Sequence, residues 1–131
     1  MSNANDSLRD PIKRARGLGS AKHGVHHFMI QRITALALII LGIWFLVLTL
    51  GLLNADYWQA HATLARPYNA LLMIAFIVAM FWHAQLGLQV VIEDYVHTPR
   101  LQITLQIAVK FLCFIAGLAS VLAVLRIALG S

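Results

Sequence analysis

Charge is scarce in this sequence. Of its 131 residues, 11% are Asp, Glu, Lys or Arg, against about 25% in a soluble globular domain. Hydrophobic residues make up 60%, and mean hydropathy is +0.78. These values exclude an ordinary soluble enzyme, and they exclude a disordered chain more firmly. Cysteine is almost missing. The single Cys113 lies inside an apolar run, so no disulfide forms within the chain, and the residue reads as packing. Acids are few: 5 against 10 Lys and Arg, for a net charge of +5 with His neutral. A basic excess suits nucleic acid or membrane topology. Here the basic residues are not interleaved with aromatics but cluster beside an apolar segment, which favours the membrane and argues against nucleic acid. Too little polar chain remains outside the apolar runs for a separate catalytic domain. Any chemistry must happen inside the bilayer or at its edge.

What is present is three long apolar runs. Residues 33–55 carry no charge, and residues 67–92 carry no formal charge, interrupted only by His83. A third run, 101–125, contains Lys110. A hydrocarbon core about 30 Å thick needs roughly 20 helical residues. Backbone groups in lipid must find their partners internally, so these runs should be helices. The sequence predicts an all-α membrane protein with spans at about 33–55, 67–92 and 105–128, preceded by a basic segment, 1–32. That segment should have little regular structure until near His26. The first apolar run is too long for a cleavable signal and has no small-residue cleavage site.

Pro67 suits the first turn of the second helix. Pro99 marks a short turn into the third. Tyr57 and Trp58 fit an interfacial belt. Gln102, Gln106 and Lys110 form a polar stripe, so the first turns of the third helix are expected at the interface, with Lys110 snorkelling to the headgroups; the alternative is a lining for water or protons. Lys and Arg concentrate in the leader, which with the positive-inside rule predicts a cytoplasmic N-terminus and a C-terminus on the opposite side. His26, Arg32, Asp94 and Tyr95 are then expected at one membrane face.

His83 is the unusual residue. It precedes Asp94 by 11 positions, roughly 16 Å of helix, which places it near mid-bilayer. Ionisable side chains at that depth are uncommon and tend to be functional. One reading is a neutral histidine hydrogen-bonded to a neighbouring helix. The other is a metal or haem ligand, for which neutral imidazole is suited. Gly87, one turn on, shares its face and either leaves room for a flat macrocycle or permits close helix packing. No other histidine is expected at mid-membrane, so a second imidazole would come from a different polypeptide.

Glu93 and Asp94 fall at the C-terminal end of the second helix, and Arg32 at the expected start of the first. Each opposes the helix dipole by about 0.3–1 kcal/mol. With antiparallel helices these charges should lie at one depth and compensate each other, unless Arg32 binds an external anion such as a haem propionate or is simply a positive-inside flank. Tyr95 is either a belt residue or a phenol that donates to a ligand carbonyl.

Two stretches carry a family resemblance. Gly24-Val25-His26-His27-Phe28, followed by Arg32-Ile33-Thr34-Ala35, resembles the start of the small hydrophobic membrane-anchor (D) subunits of succinate dehydrogenase, respiratory complex II. His83-Ala84-Gln85-Leu86-Gly87 with Val91-Ile92-Glu93-Asp94-Tyr95-Val96 resembles their second-helix signature. The likeness covers roughly residues 22–125, and His27 departs from it where a bacterial relative has an acid.

The resemblance implies a partnership. A larger cytochrome b anchor joins this chain to hold haem b and to form a ubiquinone site against an iron–sulfur subunit, while a flavoprotein subunit oxidises succinate. It implies His83 as the axial ligand of the haem iron, Arg32 and His26 near the propionates, Tyr95 as donor to a quinone carbonyl, and Asp94 as its neighbour. It also implies no catalytic residue in this chain alone. A bacterial inner membrane is expected rather than a mitochondrial one, because the leader is short and carries Asp6 and Asp10. Two rivals remain open on the residues themselves: a cofactor-free scaffold or assembly protein, and a homodimeric b-type cytochrome.

Overall fold

A computed structural model describes residues 21–130, with side-chain exposure from residue 24 onward. Four helices follow in order: α1 (Ala21–Gly51), α2 (Tyr57–Leu64), α3 (Pro67–Tyr95) and α4 (Pro99–Leu129). No strand occurs among the described residues. Three of the helices are long and apolar enough to cross a membrane: α1 from Gly24, α3 and α4. The all-α, three-span expectation holds. The chain divides into two compact units, Met1–Ile30 and Gln31–Ser131. The first contributes only the opening turns of α1 to the described residues.

The ends of the helices differ from the expected ones. α1 begins at Ala21 rather than at residue 33. The charge at Arg32 bounds the apolar run, but nothing there stops a helix, because Arg is a good helix former. His26 and Arg32 are therefore helical, and Arg32 is not in a first turn. α4 begins at Pro99, so the Gln102, Gln106 and Lys110 stripe lies on its early turns as expected, with proline in the first turn, where its missing N–H costs nothing. Pro67 opens α3 in the same way. Gly130, at φ 72°, closes α4 in the left-handed conformation that glycine adopts without penalty.

The short helix α2 was not expected. Asp56 caps it, accepting a hydrogen bond from the Gln59 backbone N–H at 2.7 Å, which satisfies one of the unpaired donors of the first turn. Tyr57 and Trp58, both strongly exposed, meet edge to face at 5.3 Å in that turn. The connection is tied to α3 by Asn69, whose Nδ2 donates to the Thr63 carbonyl at 2.8 Å. Asn69 is 2% exposed and is the one buried polar residue of the described chain.

Within Gln31–Ser131, α3 is the central element. Every buried residue of the described chain lies on it: Asn69, Ala70, Ile77, Ala79, Leu86 and Ile92. α4 packs chiefly along α3 and buries none of its own residues fully. α1 meets α3 through Phe45 and Phe76, whose rings stack at 4.8 Å, and through Thr34 and His83. As the contact on α1 moves from 34 to 45, the contact on α3 falls from 83 to 76, so the two helices are antiparallel. Large apolar side chains remain exposed on all three spans, including Ile40, Leu71 and Leu112. Such surface belongs against lipid tails or other membrane helices.

Substituting Asn69→Ala should remove the tie between the connection and α3. The expected loss is about 0.5–1.5 kcal/mol for the hydrogen bond, read as a lower melting temperature of the detergent-solubilised protein. An unchanged melting temperature would show that the tie is dispensable.

Candidate functional site

The site is built around His83. Seventeen residues into a helix that opens at Pro67, its half-buried imidazole faces α1. Nδ1 lies 3.0 Å from the hydroxyl of Thr34. That hydroxyl donates its proton to the Gln31 carbonyl one turn earlier, at 3.1 Å. With that proton on the carbonyl, the hydroxyl oxygen meets Nδ1 as acceptor, the role that places the ring hydrogen on Nδ1; with the other tautomer the hydroxyl donates to Nδ1 instead. Nε2 makes no hydrogen bond among the described residues. The tautomer with hydrogen on Nδ1 is the one in which a histidine ligates a metal through Nε2. No sequence pattern singled out Thr34; a hydroxyl within an apolar run, 49 positions from its partner, gives no periodic signal.

Gly87, one turn from His83, has nothing within 4 Å of where a Cβ would stand. Close packing inside this chain does not account for that glycine. Gly117 is the opposite case. There a Cβ would meet the Phe81 ring at 3.4 Å, so this glycine lets α4 approach α3. Beside it runs an apolar groove of about 340 Å³ between α3 and α4, bordered by Phe81, Gln85, Cys113 and Gly117. Cys113 is a free thiol.

The described residues contain no group of three or more His, Cys, Asp or Glu that could hold a bare metal ion. A single imidazole with a free Nε2 suits a different donor set, a macrocycle that supplies its own equatorial ligands and needs one axial nitrogen from this chain. The lone histidine, its tautomer and the open space at Gly87 fit that group. Residues 31–51 of α1 and all of α4 contain no histidine, so His83 has no second imidazole at its level within Gln31–Ser131.

The other candidate residues are spread out. Asp94 and Tyr95 close α3, both exposed, Tyr95 at 79%. Twelve positions separate Tyr95 from His83, about 18 Å along the helix. Arg32 is two positions before Thr34, so it lies within about 3 Å of the His83 level along the axis and about 160° around α1 from the face that meets His83. The expectation of Arg32 at the same depth as Asp94 is therefore corrected: the Thr34–His83 contact fixes the register of the two helices and sets Arg32 deeper by about half the length of a span. Two amides donate to Glu93: Gln89 Nε2 at 2.9 Å and Gln106 Nε2 at 3.1 Å, both to the same oxygen. Gln106 of the polar stripe thus ties α4 to the end of α3, while Lys110 is exposed one turn further along. His26 is exposed in the opening turns of α1, in the unit Met1–Ile30.

Comparison with known proteins decides the family. Residues 6–117 match the model of the succinate dehydrogenase/fumarate reductase transmembrane subunit. The chain belongs to this family. It is 40% identical over 117 residues to a succinate dehydrogenase hydrophobic membrane anchor subunit of Rickettsia bellii, covering 89% of this chain and 94% of that one. It is 36% identical over 117 residues to the corresponding subunit of Rickettsia conorii, covering 86% and 90%. The anchor subunit of Paracoccus denitrificans is 32% identical over 85 residues, 65% of this chain and 66% of that one. As a member of the transmembrane-subunit family with three apolar helices, the chain is a multi-pass membrane protein, and an anchor subunit implies further subunits in a complex.

The two glycines give a paired prediction for this anchor. Gly117→Leu should press on the Phe81 ring and cost about 1–3 kcal/mol through overpacking, while Gly87→Leu should leave the chain's own packing intact. Melting temperatures of the two variants, purified from a haem-deficient host, check this. Equal losses would contradict the assignment.

Proposed function

We propose that this chain is the haem- and quinone-binding membrane anchor of a succinate:quinone oxidoreductase in a bacterial inner membrane, with its N-terminus cytoplasmic. The carrying observation is the His83 imidazole, held by Thr34 at Nδ1 and free at Nε2, deep in the central helix. In this reading His83 Nε2 would hold the iron of haem b, with a second imidazole supplied by a larger cytochrome b anchor. Bound there, haem supplies one-electron redox capacity and joins the two anchors. Arg32 would offset the charge of the propionates. A guanidinium within a span costs about 2.5–3.5 kcal/mol at the helix centre, and an anionic partner lowers that cost.

Tyr95 lies where the exposed end of α3 would meet an iron–sulfur subunit, which delivers electrons drawn from succinate by a flavoprotein subunit. Its phenol donates a hydrogen bond to a ubiquinone carbonyl oxygen. A donor already in position stabilises negative charge as it develops on that oxygen, without reorganising at the moment of transfer. Asp94, beside it on the cytoplasmic side, is placed to pass protons inward from water. The dense Lys and Arg of residues 1–32 support the orientation.

Tyr95→Phe should lower quinone reductase activity of the complex by about 10²-fold or more, in line with the loss of a preorganised donor. Succinate oxidation by an artificial dye that accepts electrons upstream should stay largely intact. Unchanged quinone turnover would remove Tyr95 from the mechanism. A purified complex without reducible b-type absorption would favour a cofactor-free scaffold, and a particle containing only this polypeptide would favour a homodimeric cytochrome.

A further inference from the structure

We infer that Thr34 is a positioning residue for the haem-ligating nitrogen of His83, an inference that rests on the haem reading above. A histidine in hydrocarbon has two neutral tautomers, and only one presents a lone pair at Nε2. Left alone in an apolar span, nothing selects between them, and the ring can turn about its side-chain bonds. Thr34 removes both freedoms. Its hydroxyl proton is committed to the Gln31 carbonyl at 3.1 Å, so toward His83, 3.0 Å away, its oxygen acts as acceptor. In this arrangement the hydrogen sits on Nδ1, and the ring is tied to the α1 helix by the 3.0 Å contact.

The choice of threonine has a chemical consequence. A carboxylate in the same position would draw the Nδ1 proton strongly and give the imidazole anionic character. A neutral hydroxyl already donating elsewhere is a milder acceptor. It raises the basicity of Nε2 enough to orient and hold the ligand, yet it places no charge in the span, where charge is costly. Thr34 and His83 sit on different helices, so the same bond also couples the approach of α1 and α3 to the orientation of the ligand.

The test compares Thr34→Val, which keeps shape and loses the hydroxyl, with Thr34→Ser, which keeps the hydroxyl, in the complete complex. Thr34→Val should weaken haem retention during detergent washing by about 10–100-fold, the usual penalty for losing such an orienting partner. Its haem midpoint potential should move in the positive direction, since a less basic imidazole stabilises the oxidised iron less. Thr34→Ser should match wild type in both. A role limited to packing would spare the valine variant and leave the potential unmoved, and that result overturns the inference. Should Thr34→Val fail to assemble, the wild-type complex from a haem-deficient host decides. Nitrogen-15 resonances of His83 should report hydrogen on Nδ1, and hydrogen on Nε2 overturns the inference. A wild-type complex that never contains haem would defeat the haem reading itself, a separate outcome.

Discussion

A polar side chain in the hydrocarbon layer must be given a partner, because water is not there to supply one, and that requirement organises the interior of this protein. His83 meets it through the hydroxyl of Thr34, across from α3 to α1. The contact joins two antiparallel helices in one register, which the Phe45–Phe76 stack keeps, and in the proposed tautomer it leaves Nε2 with a lone pair. Shift either helix by one residue and the imidazole turns about 100° away from its partner. The depth of Arg32 follows from the same register, as does the distance between the middle of the span and Tyr95.

Around this contact the chain is thinly buried. The few buried residues among those described all lie on α3, and α1 and α4 carry exposed Ile, Leu and Phe. Such a bundle is suited to work as part of a larger membrane assembly, where lipid and neighbouring helices cover those faces. The polar ties it does possess are placed at specific points: Asn69 locks the connection between the first two spans, and Glu93 gathers Gln89 and Gln106 at the end of α3. The unfavourable placement of a carboxylate near a helix C-terminus is offset by those two amide donors.

Much of the architecture was legible in the sequence. Three charge-poor runs, two of them opened by Pro67 or bounded by Pro99, marked the three apolar helices. Helix ends were less legible, because hydropathy reports where lipid contact ends and not where hydrogen bonding stops; α1 therefore runs back past Arg32 to Ala21. The helix α2 had a local signal that passed unused, an acid at position 56 with glutamine three residues later, a pattern that closes a helix N-terminus. Thr34 and Asn69 had no such signal. Their roles depend on partners brought close only by the fold, and a lone hydroxyl or amide in an apolar run looks the same whether it is engaged or idle. Gly87 and Gly117 were equally ambiguous, since the same residue type leaves open space in one place and admits a phenyl ring in the other.

In the proposed function, the imidazole at the middle of the central helix ligates haem iron together with a ligand from another subunit. The most direct measurement is a reduced-minus-oxidised visible spectrum with a redox titration, made on the purified complex carrying His83→Leu. Loss of the b-type signal, or a clearly displaced midpoint potential with a changed axial ligand, is the predicted result. A porphyrin spectrum and midpoint potential both identical to wild type would contradict it.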